Sequence, residues 1–204
     1  MSRLLVLLLM SASLAACGSL FQTKAAPPTL YLLSMTSGTP ASAGAALAVD
    51  LAVLKPRVRV GVDTDRISAL YPDRRLDYFA NVRWSGPVDE IVQELAVQEF
   101  HGSGAVRNVS GDASAFASSY WLELEVADFQ AEYSTAGSPP IVHVKLLARI
   151  GNSMDRRVLA RFEADAREPA ADNRMGAIVD AYNRAADRTL SSIVANCVDT
   201  LKAR

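Results

Sequence analysis

Val142-His143-Val144-Lys145-Leu146-Leu147-Ala148-Arg149-Ile150 decides the fold. Every even-numbered residue in it is apolar, and three of the four between them carry a ring nitrogen or a charge. A period of two puts alternate side chains on opposite faces of an extended chain, so this is a strand with one face on a core. The same pattern flanks it on both sides. Upstream, Leu122, Leu124 and Val126 alternate with Glu123 and Glu125; downstream, Val158, Ala160, Phe162, Ala164 and Ala166 alternate mainly with charges. The joining segments 135–140 and 152–156 are rich in Ser, Gly, Pro, Asn and Asp, which suit turns. Three such strands in succession predict an antiparallel meander.

Beyond the meander the period changes. After Pro169, Met175, Ile178, Val179, Tyr182, Ala186, Leu190, Ile193, Val194, Cys197 and Leu201 recur at three- and four-residue spacing, predicting a long amphipathic helix over residues 172–201. A second helix is predicted in mid-chain. There Gly86 is read as the N-cap and Pro87 as the first helical residue, followed by Asp89 and Glu90 in the first turn. Its stripe is Val88, Ile91, Val92, Leu95 and Phe100, and His101-Gly102 is read as its end.

The region before that helix reads as strands. Val58, Val60 and Val62 alternate with Arg57, Arg59 and Gly61, giving a strand with a basic face. Residues 66–71, a turn at Pro72-Asp73, and Leu76, Tyr78, Ala80, Val82 and Trp84 on one face make a hairpin. Tyr31-Leu32-Leu33 is a short first strand, residues 36–48 a low-complexity loop, and residues 106–109 another short strand. The predicted class is therefore α+β: a largely antiparallel sheet with a mid-chain helix and a long C-terminal helix packed on it.

The N-terminus has a different character. Ser2-Arg3, seven apolar residues at 4–10 and small residues leading to Leu14-Ala15-Ala16-Cys17 have the layout of a signal peptide. Seven apolar residues fall well short of the ~20 a spanning helix needs. Leu-Ala-Ala-Cys resembles the bacterial lipobox, which implies cleavage before Cys17 and its acylation. The expected organisation is a lipoprotein signal peptide at 1–16, acylated Cys17 and a flexible tether at 17–29, and a single domain at 30–204. By resemblance to Gram-negative sorting rules, Gly18 rather than Asp after the cysteine favours the outer membrane, with the body in the periplasm.

Composition narrows the function classes. Cleavage removes Arg3 from the 21 Lys and Arg and leaves all 22 Asp and Glu, so no basic footprint suggests nucleic acid. The only other cysteine is Cys197, on the apolar stripe of the last helix, which predicts a buried inert thiol and no intrachain disulfide. His101 and His143 are the only histidines, and no metal-ligand spacing surrounds them. No Gly-x-Ser-x-Gly elbow or phosphate-binding glycine loop occurs, and Asp63-x-Asp65 lacks the rest of a calcium loop. The carboxylate pairs Asp73/Asp77 and Glu123/Glu125 read as solvated strand faces. No catalytic residue, metal or cofactor is expected. Among the aromatics, Phe79 falls on the polar side of its strand and is the candidate partner-interface residue.

The lipobox, Tyr31-Leu32-Leu33-Ser34, Val58-Arg59-Val60, Asp65-Arg66-Ile67, the run Arg75-Leu76-Asp77-Tyr78-Phe79-Ala80-Asn81 with Trp84, the mid-chain helix and residues 122–133 resemble the ABC-type transport auxiliary lipoprotein family. This PqiC-like group was formerly called a domain of unknown function. The resemblance implies a noncatalytic, periplasm-facing accessory of a transporter comprising an ATPase, a permease and an MCE-domain protein. It implies movement of phospholipid or other hydrophobic molecules between the inner and outer membranes. Docking the system at the outer membrane, with further copies of the chain as additional partners, is the leading expectation. The alternative is a stand-alone envelope lipoprotein that assists outer-membrane assembly or binds lipid.

Overall fold

A computed structural model of the protein describes residues 26–35, 46–112, 114, 117–135 and 137–203. The expected signal peptide, Cys17 and most of the expected tether lie outside the described residues. The strands are β1 (Thr29–Tyr31), β2 (Leu47–Val53), β3 (Arg57–Val58), β4 (Arg66–Leu70), β5 (Leu76–Trp84), β6 (Val106–Ser110), β7 (Tyr120–Glu132), β8 (Ile141–Asn152) and β9 (Val158–Pro169). The helices are α1 (Val88–Ser103) and α2 (Met175–Lys202). Among the described residues no helix is long and apolar enough to cross a membrane.

The meander is present as predicted: β7 pairs antiparallel with β8, and β8 with β9, over nearly their full lengths. The fold is α+β, and the sheet is mixed. The second edge of β7 receives three short parallel strands in turn, β2 at residues 120–122, β3 at 125–126 and β4 at 131–132. β6 extends the sheet beyond β2, while the hairpin β4–β5 and then β1 extend it at the other end. One 13-residue strand therefore joins two diverging wings.

A β-bulge sets which β7 side chains enter the core. Leu122, Leu124 and Val126 are buried, and then the register with β8 slips between Val126 and Asp128, so that Phe129 and Ala131 continue on the same face. One extra residue restores the phase that strict alternation would lose. The helices cover this face. The α1 residues Val88, Ile91, Val92, Leu95, Ala96 and Phe100 are buried, and α2 buries thirteen residues including Tyr182 and Leu190. At the centre, Trp84, Phe129 and Tyr182 form a triangle with ring centroids 4.9–6.0 Å apart, two of the three contacts edge-on. Such aromatic contacts add to the burial of large apolar rings. The Tyr182 hydroxyl donates to the Ser68 carbonyl at 3.3 Å, so its polar end is also partnered.

Several local expectations are corrected. β2 lies partly within the expected loop 36–48 and continues beyond it, with Leu47, Val49, Leu51 and Val53 alternating toward the core side. β3 stops at Val58, because Gly61 takes φ +96° and turns the chain; Val60 is left outside while Val62 is buried. A Cβ at Gly61 would also sit 2.9 Å from Leu76 Cδ2. In β5 the alternation fails at Ala80, which is exposed. Asn81 adopts φ +57° and the β4–β5 register shifts there, so Phe79 is turned toward the core margin. α1 starts at Val88 with Pro87 in the cap position and ends at Ser103. Gly104, at φ +60°, rather than Gly102, supplies the left-handed cap, its N–H donating to the His101 carbonyl.

Candidate functional site

The helices cover one face of the meander and leave the other open. The open face carries the residues that alternate with the core: Glu123, Glu125, Asp128, Gln130 and Glu132 from β7, with His143, Lys145, Leu147 and Arg149 from β8. β9 adds Arg161, Glu163, Asp165 and Arg167, while Arg57 of β3 and Arg59 just beyond it lie over β7. The six Arg and Lys and six Asp and Glu among these balance. The face is thus patterned in charge rather than dominated by one sign.

Strand register converts the charges into a ladder. Glu123 lies opposite Arg149, with a 2.5 Å contact, and also meets Arg57 at 3.1 Å. Arg59 contacts Asp128 at 3.1 Å and donates to Gln130 Oε1 at 3.1 Å. Lys145 meets Glu163 at 2.9 Å. At one end the ladder becomes a part-buried cluster around His143, itself only 5% exposed. His143 Nδ1 lies 2.8 Å from Glu132 Oε1, and Nε2 lies 3.1 Å from Asp165 Oδ1. Arg167 pairs with Glu132, and its Nη2 lies 3.1 Å from His143 Nδ1. A doubly protonated ring donates to both carboxylates. A ring protonated on Nε2 alone donates to Asp165 and accepts from Arg167.

Glu132 shows how tightly the cluster is held. Burial pushes its carboxyl pKa upward, but hydrogen bonds from Gln130, His143 and Arg167 outweigh that and hold it below its ordinary value. Both His143 nitrogens are occupied by carboxylates, so the arrangement works as a clasp across β7, β8 and β9. Among the described residues, no group of three or more His, Cys, Asp or Glu could hold a metal.

Beside the clasp is a cleft of about 620 Å³ lined by Arg59, Val60, Tyr71, Arg74, His143 and Arg167, among others. One wall is aromatic. Tyr71 stacks on Tyr133 at 5.3 Å and 10°, Arg75 lies 4.5 Å over Tyr71, and Phe79 leans on Tyr133 at 6.4 Å. The rim residue Arg74 is held at φ +65° in the β4–β5 turn, with no side-chain ion pair among the described residues. A second cleft of about 640 Å³ continues along Arg57, Arg59, Val60, Asp128 and Lys145.

The residues singled out in the sequence are distributed as follows. Phe79 is half-buried in the aromatic wall rather than standing free. His101 is exposed in the last turn of α1. Asp65 pairs with Arg83 at 2.8 Å, Asp73 and Asp77 with Arg75, and Glu123 and Glu125 with Arg57. Cys197 is fully buried, and burial pushes its thiol pKa up to about 12. The His143 clasp was missed. Its polar alternation was visible, but its partners lie 11 to 24 residues away and meet only through strand register.

The fold and this face define an α+β body with one sheet face patterned in charge. A family model described as ABC-type transport auxiliary lipoprotein component matches residues 31–194, and the chain belongs to that family. It is thus a lipoprotein accessory of ABC-type transport. Among solved structures, XCC0632 from Xanthomonas campestris, of a family of unknown function, is similar at 23% identity and a TM-score of 0.76, covering 86% of this chain and 98% of that one. CT253 from Chlamydia trachomatis, a hypothetical protein, is similar at 14% identity and a TM-score of 0.53, covering 78% of this chain and 100% of that one. These likenesses show the fold. No curated protein matches the chain.

Proposed function

We propose that the protein is a noncatalytic accessory lipoprotein, acylated on Cys17 and held at the outer membrane with its body in the periplasm. It docks an MCE-domain protein whose permease and ATPase drive phospholipid or another hydrophobic molecule between the membranes. Further copies of the chain are also proposed as partners. The observation that carries this reading is the open face of β7–β9. Most of its charges are mutually paired, and one of its clefts is bordered by Tyr71 and Tyr133, the ring on which Phe79 leans. Balanced charge around an aromatic anchor suits protein docking, where aromatic and Arg residues dominate affinity.

Two measurements test the proposal. Full-length acylated protein is expected to capture the MCE-domain protein encoded beside it, and absence of any complex after crosslinking would count against docking. Cys17→Ser is expected to abolish palmitate incorporation and membrane retention. Persistent labelling would overturn the anchor assignment. Binding of lipid without any transporter component would favour the stand-alone reading instead.

A further inference from the structure

The first described residues, where the expected tether meets the body, form an apolar edge. Residues 26–30 are all exposed, and Leu30 and Leu32 are 62% and 72% exposed. They are not loose: the intervening Tyr31 and the following Leu33 pack against the core, and the Ser34 N–H donates to Asn183 Oδ1 at 3.1 Å. With alternate residues fixed inward, the two leucines remain on the outside. The other large exposed apolar residues, Val60, Ile141 and Met154, are far from one another in sequence.

Leu30 is also the end of a cross-strand row. It lies in register with Arg83 of β5, and Arg83 lies in register with Arg66 of β4. Arg83 pairs with Asp65, whereas Arg66 sits 3.9 Å over the Tyr78 ring and has no ion pair among the described residues. The row thus runs from apolar side chains to a cationic pair with one compensating carboxylate.

We propose that this edge is a membrane-contact surface: Leu30 and Leu32 enter the boundary between lipid headgroups and acyl chains, while Arg66 and Arg83 lie at headgroup level. The proposal rests on the Cys17 anchor. Twelve residues lie between Cys17 and Leu30, and a chain of that length reaches at most ~45 Å even when fully extended. The anchor therefore keeps this edge, before any other part of the body, at high effective concentration near the bilayer. Exposed apolar side chains beside arginines match an interfacial lipid surface. The contact also orients the body. From Arg83 back to Leu76 the hairpin extends ~23 Å, carrying the cleft at its tip away from the membrane.

The test uses full-length acylated protein in vesicles of phosphatidylethanolamine and phosphatidylglycerol. Leu30→Cys, Leu32→Cys and Met154→Cys variants are each given a spin label; Cys197 is buried and does not compete. Labels at 30 and 32 are expected to be relaxed by bilayer-dissolved oxygen and shielded from an aqueous nickel chelate, with the reverse at 154. Nickel accessibility at 30 and 32 equal to that at 154 would overturn the contact. Shielding from both agents would overturn it too, assigning the edge to a protein neighbour. Protein that fails to float with vesicles and carries no acyl group would sink the anchor and this proposal together, whereas floating protein with water-exposed labels would sink the contact alone.

Discussion

The two faces of the β7–β8–β9 sheet use the same strands for opposite ends. On the helix-covered face, Val142, Val144, Leu146, Ala148 and Ile150 are nearly inaccessible and meet α2. One residue along in each case, His143, Lys145 and Arg149 engage carboxylates on the open face. Apolar burial is nondirectional and roughly proportional to area, so the covered face supplies stability. The open face supplies geometry, because charge pairs in partial contact with water add little energy while fixing side chains in a pattern. Mutations should therefore separate the two roles.

The largest effect is expected in the core. Trp84→Ala removes the ring that joins Phe129 and Tyr182, and should cost about 3–5 kcal/mol in denaturant unfolding. A loss below about 1 kcal/mol would mean that the triangle is not the centre of the core. His143→Ala breaks the clasp and leaves Glu132 and Asp165 without their shared partner. It should cost about 2–3 kcal/mol, which is large for the open face and would make the cluster its one stability-bearing part.

Glu132→Gln sharpens the contrast through pH. The folded state holds the Glu132 proton less tightly than the unfolded chain does, so the stability it contributes is complete above the ordinary value of 4.5 and is lost as pH falls through the folded value. The variant should be less stable at neutral pH and show a shallower fall in acid. An unchanged acid limb would contradict the assignment. The smallest effect is expected from Arg57→Ala, whose side chain is more than half exposed; about 0.5–1 kcal/mol or less should be lost.

This division explains what could be read from the sequence. The covered face is a property of local periodicity, so β8, β9 and the stripe of α2 are legible in the sequence. β2 was obscured because Ala48 and Ala52 blended its alternation into the small-residue stretch before it. The parallel edge of β7 was not legible. Its partners Leu51, Arg57 and Ala69 are drawn from three strands, and no local pattern states which shares an edge with which. The same limit hid the clasp, since Glu132, His143 and Arg167 are joined by pairings across two turns. Phe79 was found as a candidate on an alternation that the left-handed Asn81 interrupts, so its packing on Tyr133 at the core margin, rather than on an open strand face, needed the structure.

Site-specific photo-crosslinking in the native envelope tests the central claim most directly. A photoreactive residue at Val60 or Arg74, on the cleft of the open face, is compared with one at the exposed Ala195 of α2. The account predicts adducts with a component of the transport system from positions 60 and 74 and none from 195. Adducts from 195 alone would place recognition on the helical side and contradict the assignment of the open face as the docking surface.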